Sequence, residues 1–423
     1  MKYAWLLLVV ILVAACQQSK PAVDLEIHNN TSQQNDANSS IPINEPVYLT
    51  PRQTDVKELI NAHNKFTFEF YNTVREKPGN IFVSPLSIST AFTMLERGAR
   101  GDTSTEIQSA LGNTEIADID STYRSLILSL NRSENYTLQM GNSLWIDEGF
   151  QVKPEYSSLL SRFYDASVTA LDLQAAIGPA SVNAWVNEKT RGLIPSIVDS
   201  FDEGTRAVLV NAIYFKGNWT NQFDASQSYT APFFVRPDTS VASNFMTQQK
   251  RLMYGETSEA QVLELPYADG SVSMLLVLPH NNTSLTAMEN SLNLEKYEEL
   301  RSSMDEQNVI VKIPSFKLHW TAEIIENMKA LGIIHAFTSA DLSGIAPGLV
   351  VTRVLHEAVV IVDEKGTEAA AVTLIGSGTT SVGQYQPPPE FIANRPFLFF
   401  IVDNSDGRIL FMGRVDNPTN STE

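Results

Sequence analysis

The chain has 423 residues, 43% of them apolar, and a net charge of −18 from 48 acidic and 30 basic side chains. Such a length and apolar share support a large buried core and a soft prior of two or three domains. The acidity argues against nucleic acid or an anionic polysaccharide as an obligate partner, since fixed negative charges repel, and its default reading is solubility.

Met1-Lys2 precedes an apolar run from Ala4 to Ala15. A basic start, a short apolar core and small residues before a cut mark residues 1–15 as a secretory signal. The run is too short to span a bilayer as a permanent helix. Cys16 is the only cysteine, so an internal disulfide is excluded. Val13-Ala14-Ala15-Cys16 resembles a bacterial lipobox, which implies a lipid on Cys16. Plain secretion with cleavage near Ala15 is the alternative. Gln17 and Gln18 are not acidic, which by the same resemblance favours an outer-membrane destination. The expected location is therefore outside the cytoplasm, on a lipid anchor at the cell surface or the periplasm-facing outer membrane. Residues 16–50 are rich in Gln, Asn, Ser, Asp and Pro without periodicity and read as a disordered tether.

Residues 51–423 read as the folded body. Thr54-Asp55 can cap a helix whose apolar face is Leu59, Ile60, His63, Phe66, Phe70 and Val74, ended by Pro78-Gly79-Asn80. Ser87 to Leu95 predicts a second, buried helix ended by Gly98. Strand-like runs follow at Val208–Phe215, Val262–Leu265, Val272–Leu278 and Val309–Ile313. Helical spacing returns over Thr321–Leu331 and closes at Gly332. Ala358–Val362 and Phe397–Val402 are nearly uncharged and β-rich, as strands buried on both faces should be. Helices early and strands mostly late point to an α+β fold.

Asp363–Ser381 (DEKGTEAAAVTLIGSGTTS) stands apart. Ala369, Ala370 and Ala371 favour helix; Val372, Thr373 and Ile375 favour strand; Gly376 to Gly383 favour loop. In a strand, Thr367, Ala369, Ala371 and Thr373 would share one face, and all are small. That suits an exposed loop able to become a central strand. Other chemistry fails on spacing. No Gly-Lys-Ser/Thr follows Gly376 or Gly378, and Gly378-Thr-Thr-Ser381 is not a nucleophile elbow. A hydrolase using Ser377 or Ser381 therefore rests on no specific signature. His356-Glu357 lacks the second histidine of a zinc helix, and six scattered histidines make no metal cluster. Neither a metal nor a cofactor is expected, and His356 by default is a hydrogen-bonded residue just before a strand.

Several separated motifs resemble one family, the serpins. They are Asn80–Ser89 (NIFVSPLSIS), Leu209–Trp219 (LVNAIYFKGNW), Val262–Tyr267 (VLELPY), Lys312–Phe316 (KIPSF) and Asp341-Leu-Ser343. His356-Glu-Ala, Asp363–Ala371 (DEKGTEAAA), Asn394–Phe400 (NRPFLFF) and Phe411–Pro418 (FMGRVDNP) complete the series in order. The resemblance implies one large α+β domain of three sheets and eight or nine helices, overriding the length prior, with a reactive loop over about 364–390. It implies no enzyme but a suicide inhibitor of serine proteases, extending to papain-like cysteine proteases, and a monomer. A non-inhibitory binding or scaffolding member is the rival. By the same resemblance the hinge is Glu364, Gly366, Thr367, Ala369, Ala370 and Ala371. Ser84, Ser87, Asn211 and His356 match a polar cluster that controls sheet opening, and Trp219 matches the place where insertion begins. The family's insertion length counted from Glu364 puts the scissile bond at Thr380–Ser381. Counting back from Pro388-Pro389-Glu390 gives Tyr385–Gln386. The first is preferred, because an over-long loop slows insertion. It suits an elastase-like protease, whereas Tyr385 suits a chymotrypsin-like one.

Overall fold

Nine α-helices and fourteen strands make up the described part of the chain, for which a computed structural model covers residues 50–130, 136–267, 269–366 and 387–420. The signal, Cys16, most of the tether, Thr367, Ala369, Ala370, Ala371, Thr380, Ser381, Tyr385 and Gln386 lie outside the described residues. The helices are α1 (Gln53–Val74), α2 (Pro85–Gly98), α3 (Gly101–Leu111), α4 (Ile119–Leu130), α5 (Pro154–Tyr164), α6 (Ile177–Lys189), α7 (Leu285–Ser291), α8 (Leu294–Ser302) and α9 (Ile325–Ala330). The first strands are β1 (Ile81–Val83), β2 (Tyr136–Asp147), β3 (Ser167–Leu171), β4 (Ala207–Gly217), β5 (Tyr229–Arg236), β6 (Thr239–Glu256) and β7 (Ala260–Tyr267). Then come β8 (Val272–Pro279), β9 (Asp305–Pro314), β10 (Phe316–Glu323), β11 (Arg353–Val362), β12 (Glu390–Ile392), β13 (Phe397–Asp403) and β14 (Arg408–Val415).

Local chemistry sets the ends. α1 buries the predicted face, but Thr54-Asp55 is not its cap. The helix starts at Gln53 after Arg52, whose guanidinium holds Asp55 through contacts of 2.6 and 3.1 Å. Asp55 thus sits in the first turn, where the helix dipole favours a carboxylate. α2 begins two residues earlier than expected: Ser84 caps it by accepting from the Ser87 amide, and Pro85 fills the first turn. The helix predicted over Thr321–Leu331 is a correction. Phe316, Leu318, Trp320 and Ala322 alternate as buried residues of β10, so the strand runs through Glu323 and only Ile325–Ala330 is helical. Burial at period two won over a helical spacing that it overlapped. His356 likewise lies inside β11, not before it.

The described strands form two hydrogen-bonded sheets, and a third is not distinguished among them. The larger runs β1-β14-β13-β8-β7-β6-β9-β12, with β5 also on β6. The 18-residue β6 pairs with β9 along its middle and β7 at its end, which joins two groups of strands into one ladder. The smaller sheet runs β10-β11-β4-β2-β3. Its centre is a parallel pair, β11 on β4, with Arg353 opposite Val208 and His356 opposite Asn211. Leu209, Ile213 and Phe215 of β4 face the main core, whereas Val208, Val210 and Ala212 face a second cluster with Val182 and Val186 of α6.

Phe82 of β1 is fully buried and stacks between Phe399 and Phe411, with centroids at 5.8 and 5.0 Å. Phe82→Ala should cost about 3–5 kcal/mol, read as a lowered denaturant midpoint; an unchanged midpoint would show that β1 does not staple the large sheet.

Candidate functional site

β11 leaves the small sheet through a tight turn. Asp363 and Gly366 bridge each other, and Gly366 has φ +115°, a conformation that only glycine tolerates freely. Gly366 also bridges Asn218, just past the end of β4. A Cβ at Gly366 would lie 2.4 Å from the Gly217 carbonyl and 2.5 Å from the Trp219 amide nitrogen. The chain therefore reaches residue 366 already laid against the backbone of β4.

Trp219 fastens this turn. Its indole N–H donates to the Asp363 carbonyl at 2.9 Å, and its amide donates to the Lys365 carbonyl at 3.0 Å. The Phe223 amide donates to the Glu364 carbonyl at 2.8 Å. The Trp219 ring stacks on Tyr267 at 4.3 Å, tying the turn to the large sheet. Glu364 accepts from Ser228 at 2.7 Å and Asn244 at 3.1 Å. Desolvation disfavours its charge, but these hydrogen bonds prevail and hold its carboxyl below the usual range. Asp363 differs: burial pushes its carboxyl up.

Halfway along the β4–β11 seam lies a buried polar cluster. The Asn211 side-chain amide donates to Ser87 Oγ and to Asn142 Oδ1. Asn211 Oδ1 accepts from His356 Nδ1 at 2.5 Å, so the Nε2 of the neutral ring is left as an acceptor. The Ser84 amide donates to that Nε2 at 3.2 Å, and Ser84 Oγ donates to the Leu410 carbonyl at 2.8 Å. The cluster joins α2, β2, β4, β11 and β14 at one point. Burial lowers the His356 pKa from 6.5 to about 3. On the opposite face, Glu357 accepts from His319 and from Thr321, the latter at 2.8 Å, and desolvation raises its pKa.

The structure thus brings Ser84, Ser87, Asn211 and His356 together, and Trp219, Glu364 and Gly366 together. Asn142, Tyr267, Ser228 and Asn244 also belong to these sites and were missed. Only Asn142 carried a signal, as a polar residue within an apolar strand run. Among the described residues no group of His, Cys, Asp or Glu is placed to hold a metal ion.

The family pattern Serpin (serine protease inhibitor) matches residues 61–418. The chain belongs to the serpin family. The leukocyte elastase inhibitor of Bos taurus is 36% identical over 381 residues, which cover 86% of this chain and all of that protein. Human thyroxine-binding globulin, solved in complex with thyroxine, superposes with a TM-score of 0.79 at 29% identity, over 86% of this serpin and 100% of that chain. The thermophilic serpin tengpin in its native state gives 0.78 at 26%, over 85% and 94%. The α+β serpin fold expected from the motifs is therefore present.

This serpin buries two histidines in neutral form, His356 and His63, the latter drawn from 6.5 down to about 4 by desolvation. Above pH 6.5 folded and unfolded forms are both neutral there, and the contribution is complete. As pH falls below 6.5 the unfolded chain takes protons that the folded one refuses, so stability declines towards pH 3 to 4. His356→Gln should remove about one of the protons taken up on unfolding at pH 5, measured from the slope of unfolding midpoint against pH; an unaltered slope would count against a neutral buried imidazole.

Proposed function

We propose that this serpin is a suicide-type inhibitor of serine proteases that traps the acyl-enzyme by drawing its cleaved loop into the small sheet. The supporting observation is an agreement of registers. β11 and β4 run parallel, so a strand that reverses out of β11 at Asp363–Gly366 runs antiparallel to both. Continued along β4 from the Asn218–Gly366 bridge, Thr367 meets Gly217, Ala369 meets Phe215, Ala371 meets Ile213 and Thr373 meets Asn211. Continued along β11 from the Asp363–Gly366 bridge, Ala371 meets Ala358 and Thr373 meets His356. Ile213–Ala358 and Asn211–His356 are the pairs that already face each other across the seam. One new strand thus satisfies both neighbours without slipping either, and it replaces a parallel pairing by two antiparallel ones, which are slightly stronger.

The same register turns Thr367, Ala369, Ala371 and Thr373 towards the main core, since opposite residues share a face. Their small size suits it. A Cβ at Gly217 would lie 2.8 Å from Tyr267, so little room remains opposite Thr367. Thr373 would reach Asn211 and His356, where its hydroxyl can replace the bond those two lose when the strands part.

In this reading a protease serine attacks the carbonyl of Thr380, or of Tyr385 on the alternative count, and the new amine of the next residue departs. The freed segment zips in from Gly366. Fourteen residues from Thr367 carry the bound protease roughly 45 Å. Distortion of its oxyanion hole stalls deacylation. The energy comes from a kinetically held native sheet. The serpin is consumed rather than turned over, and is not an enzyme. Papain-like proteases, which also form acyl-enzymes, are a second target class. The lipobox-like Cys16 supports tethering at a membrane surface, and the tethered serpin acts as a monomer in this reading.

Incubation with elastase should yield a covalent complex that survives SDS. Thr367→Arg, which forces a charge into the core at several kcal/mol, should give cleavage with almost no complex. Clean cleavage of the unaltered chain without complex would reject trapping and favour a binding role. Feeding labelled palmitate to cells making the chain should label it, and Cys16→Ala should abolish the label; label retained by that variant would exclude a Cys16 lipid.

A further inference from the structure

An open cleft of about 860 Å³ lies between the end of α1, the β5–β6 turn, the link from β8 to α7 and the start of β13. Its described lining contains none of the hinge or polar-cluster residues. Although the chain carries a net charge of −18, this wall holds five Arg and Lys side chains against three carboxylates.

The carboxylates do not neutralise the cations evenly. Glu289 is committed to the Tyr71 hydroxyl at 2.6 Å and to Arg414 at 3.0 Å. Asp416 takes Arg236 at 3.2 Å. Glu76 is 82% exposed and stands 3.7 Å from Arg75 Nε, beyond hydrogen-bond reach. Arg75 Nε and Nη1 are shielded from water yet meet no hydrogen-bond partner among the described residues. Buried donors are rarely left so. Arg395 donates Nε and Nη2 to the Pro279 carbonyl at 3.0 and 2.7 Å, and Nη1 to the Asn394 side chain at 3.3 Å. These partners are neutral, and among the described residues Arg395 has no carboxylate partner. Desolvation lowers its pKa, as expected for a guanidinium without a counter-ion. Beside the two arginines the cleft offers apolar surface: Phe234, 40% exposed, with Val235 and Leu285.

We propose that this cleft binds a small organic anion, its carboxylate or phosphate head held by Arg75 and Arg395 and its apolar body laid against Phe234 and Leu285. The guanidinium fork matches either head, and a charge-assisted pair is the strong form of hydrogen bond. The apolar neighbours give such a ligand an advantage over a bare ion.

The test is calorimetric titration of the full chain with octanoate and with octyl phosphate. At least one should bind saturably with one-to-one stoichiometry, the tighter of the two identifying the head group. Octyl glucoside and inorganic phosphate should each bind at least about tenfold more weakly. Arg75→Gln and Arg395→Gln should each weaken the anion about tenfold, with Arg395→Lys weakening it less. Unchanged circular dichroism of the variants checks that they fold. Absence of saturable binding by both anions, octyl glucoside binding as tightly as they do, or unaltered affinity in folded Gln variants would overturn the site.

Discussion

Everything distinctive about this molecule depends on the seam between β4 and β11. These strands are parallel neighbours in the middle of a sheet whose other pairings are mostly antiparallel. Under the proposed mechanism the turn that folds back at one end of this directly joined pair would lead the cut loop between its strands in the opposite direction. Gly366 supplies the reversal, and Trp219 holds it over the top of the seam through two hydrogen bonds to the turn. The rest of the fold positions these strands: α2 and β14 floor the seam, and Tyr267 links its upper end to the larger sheet.

Under the proposed mechanism the polar cluster sits on the seam that has to open. Leu209 and Ile213 flank Asn211 on the same face, and either could have been matched by another aliphatic side chain. A set of hydrogen bonds is instead placed between them. The side chains of Asn211, His356 and Ser84 all have partners there, so separating the closed seam leaves buried polar groups to be re-satisfied. Under the proposed mechanism the Thr373 hydroxyl would compensate part of what the open arrangement loses.

Much of this was legible in the chain because the relevant residues fall in contiguous motifs. Gly366 within DEKGTEAAA, Asn211 within LVNAIYFKGNW and Ser84 within NIFVSPLSIS are each read in place. What escaped was tertiary. Ser228 and Asn244 meet Glu364 from β5 and β6 territory, far away in sequence, and neither has a local pattern that marks it. Trp320 lies over His356 at 5.9 Å only because β10 extends where helical spacing suggested otherwise. Arg52 in place of a Thr54 cap is the same lesson at smaller scale: a charge pair and a propensity competed, and the pair set the register. The junction of two strand groups through β6 is a property of strand length, which composition does not report.

Consider finally α6. Val182 and Val186 rest in one apolar cluster with Val208 and Val210 of β4, and the helix packs on β2 and β4, so it lies on one leaf of the seam like a bar fixed to a single door. An added strand widens a sheet by about 4.8 Å. Under the proposed mechanism that leaf would move with the bar upon it, so how fast the doors part would depend partly on a few valines of α6 and β4.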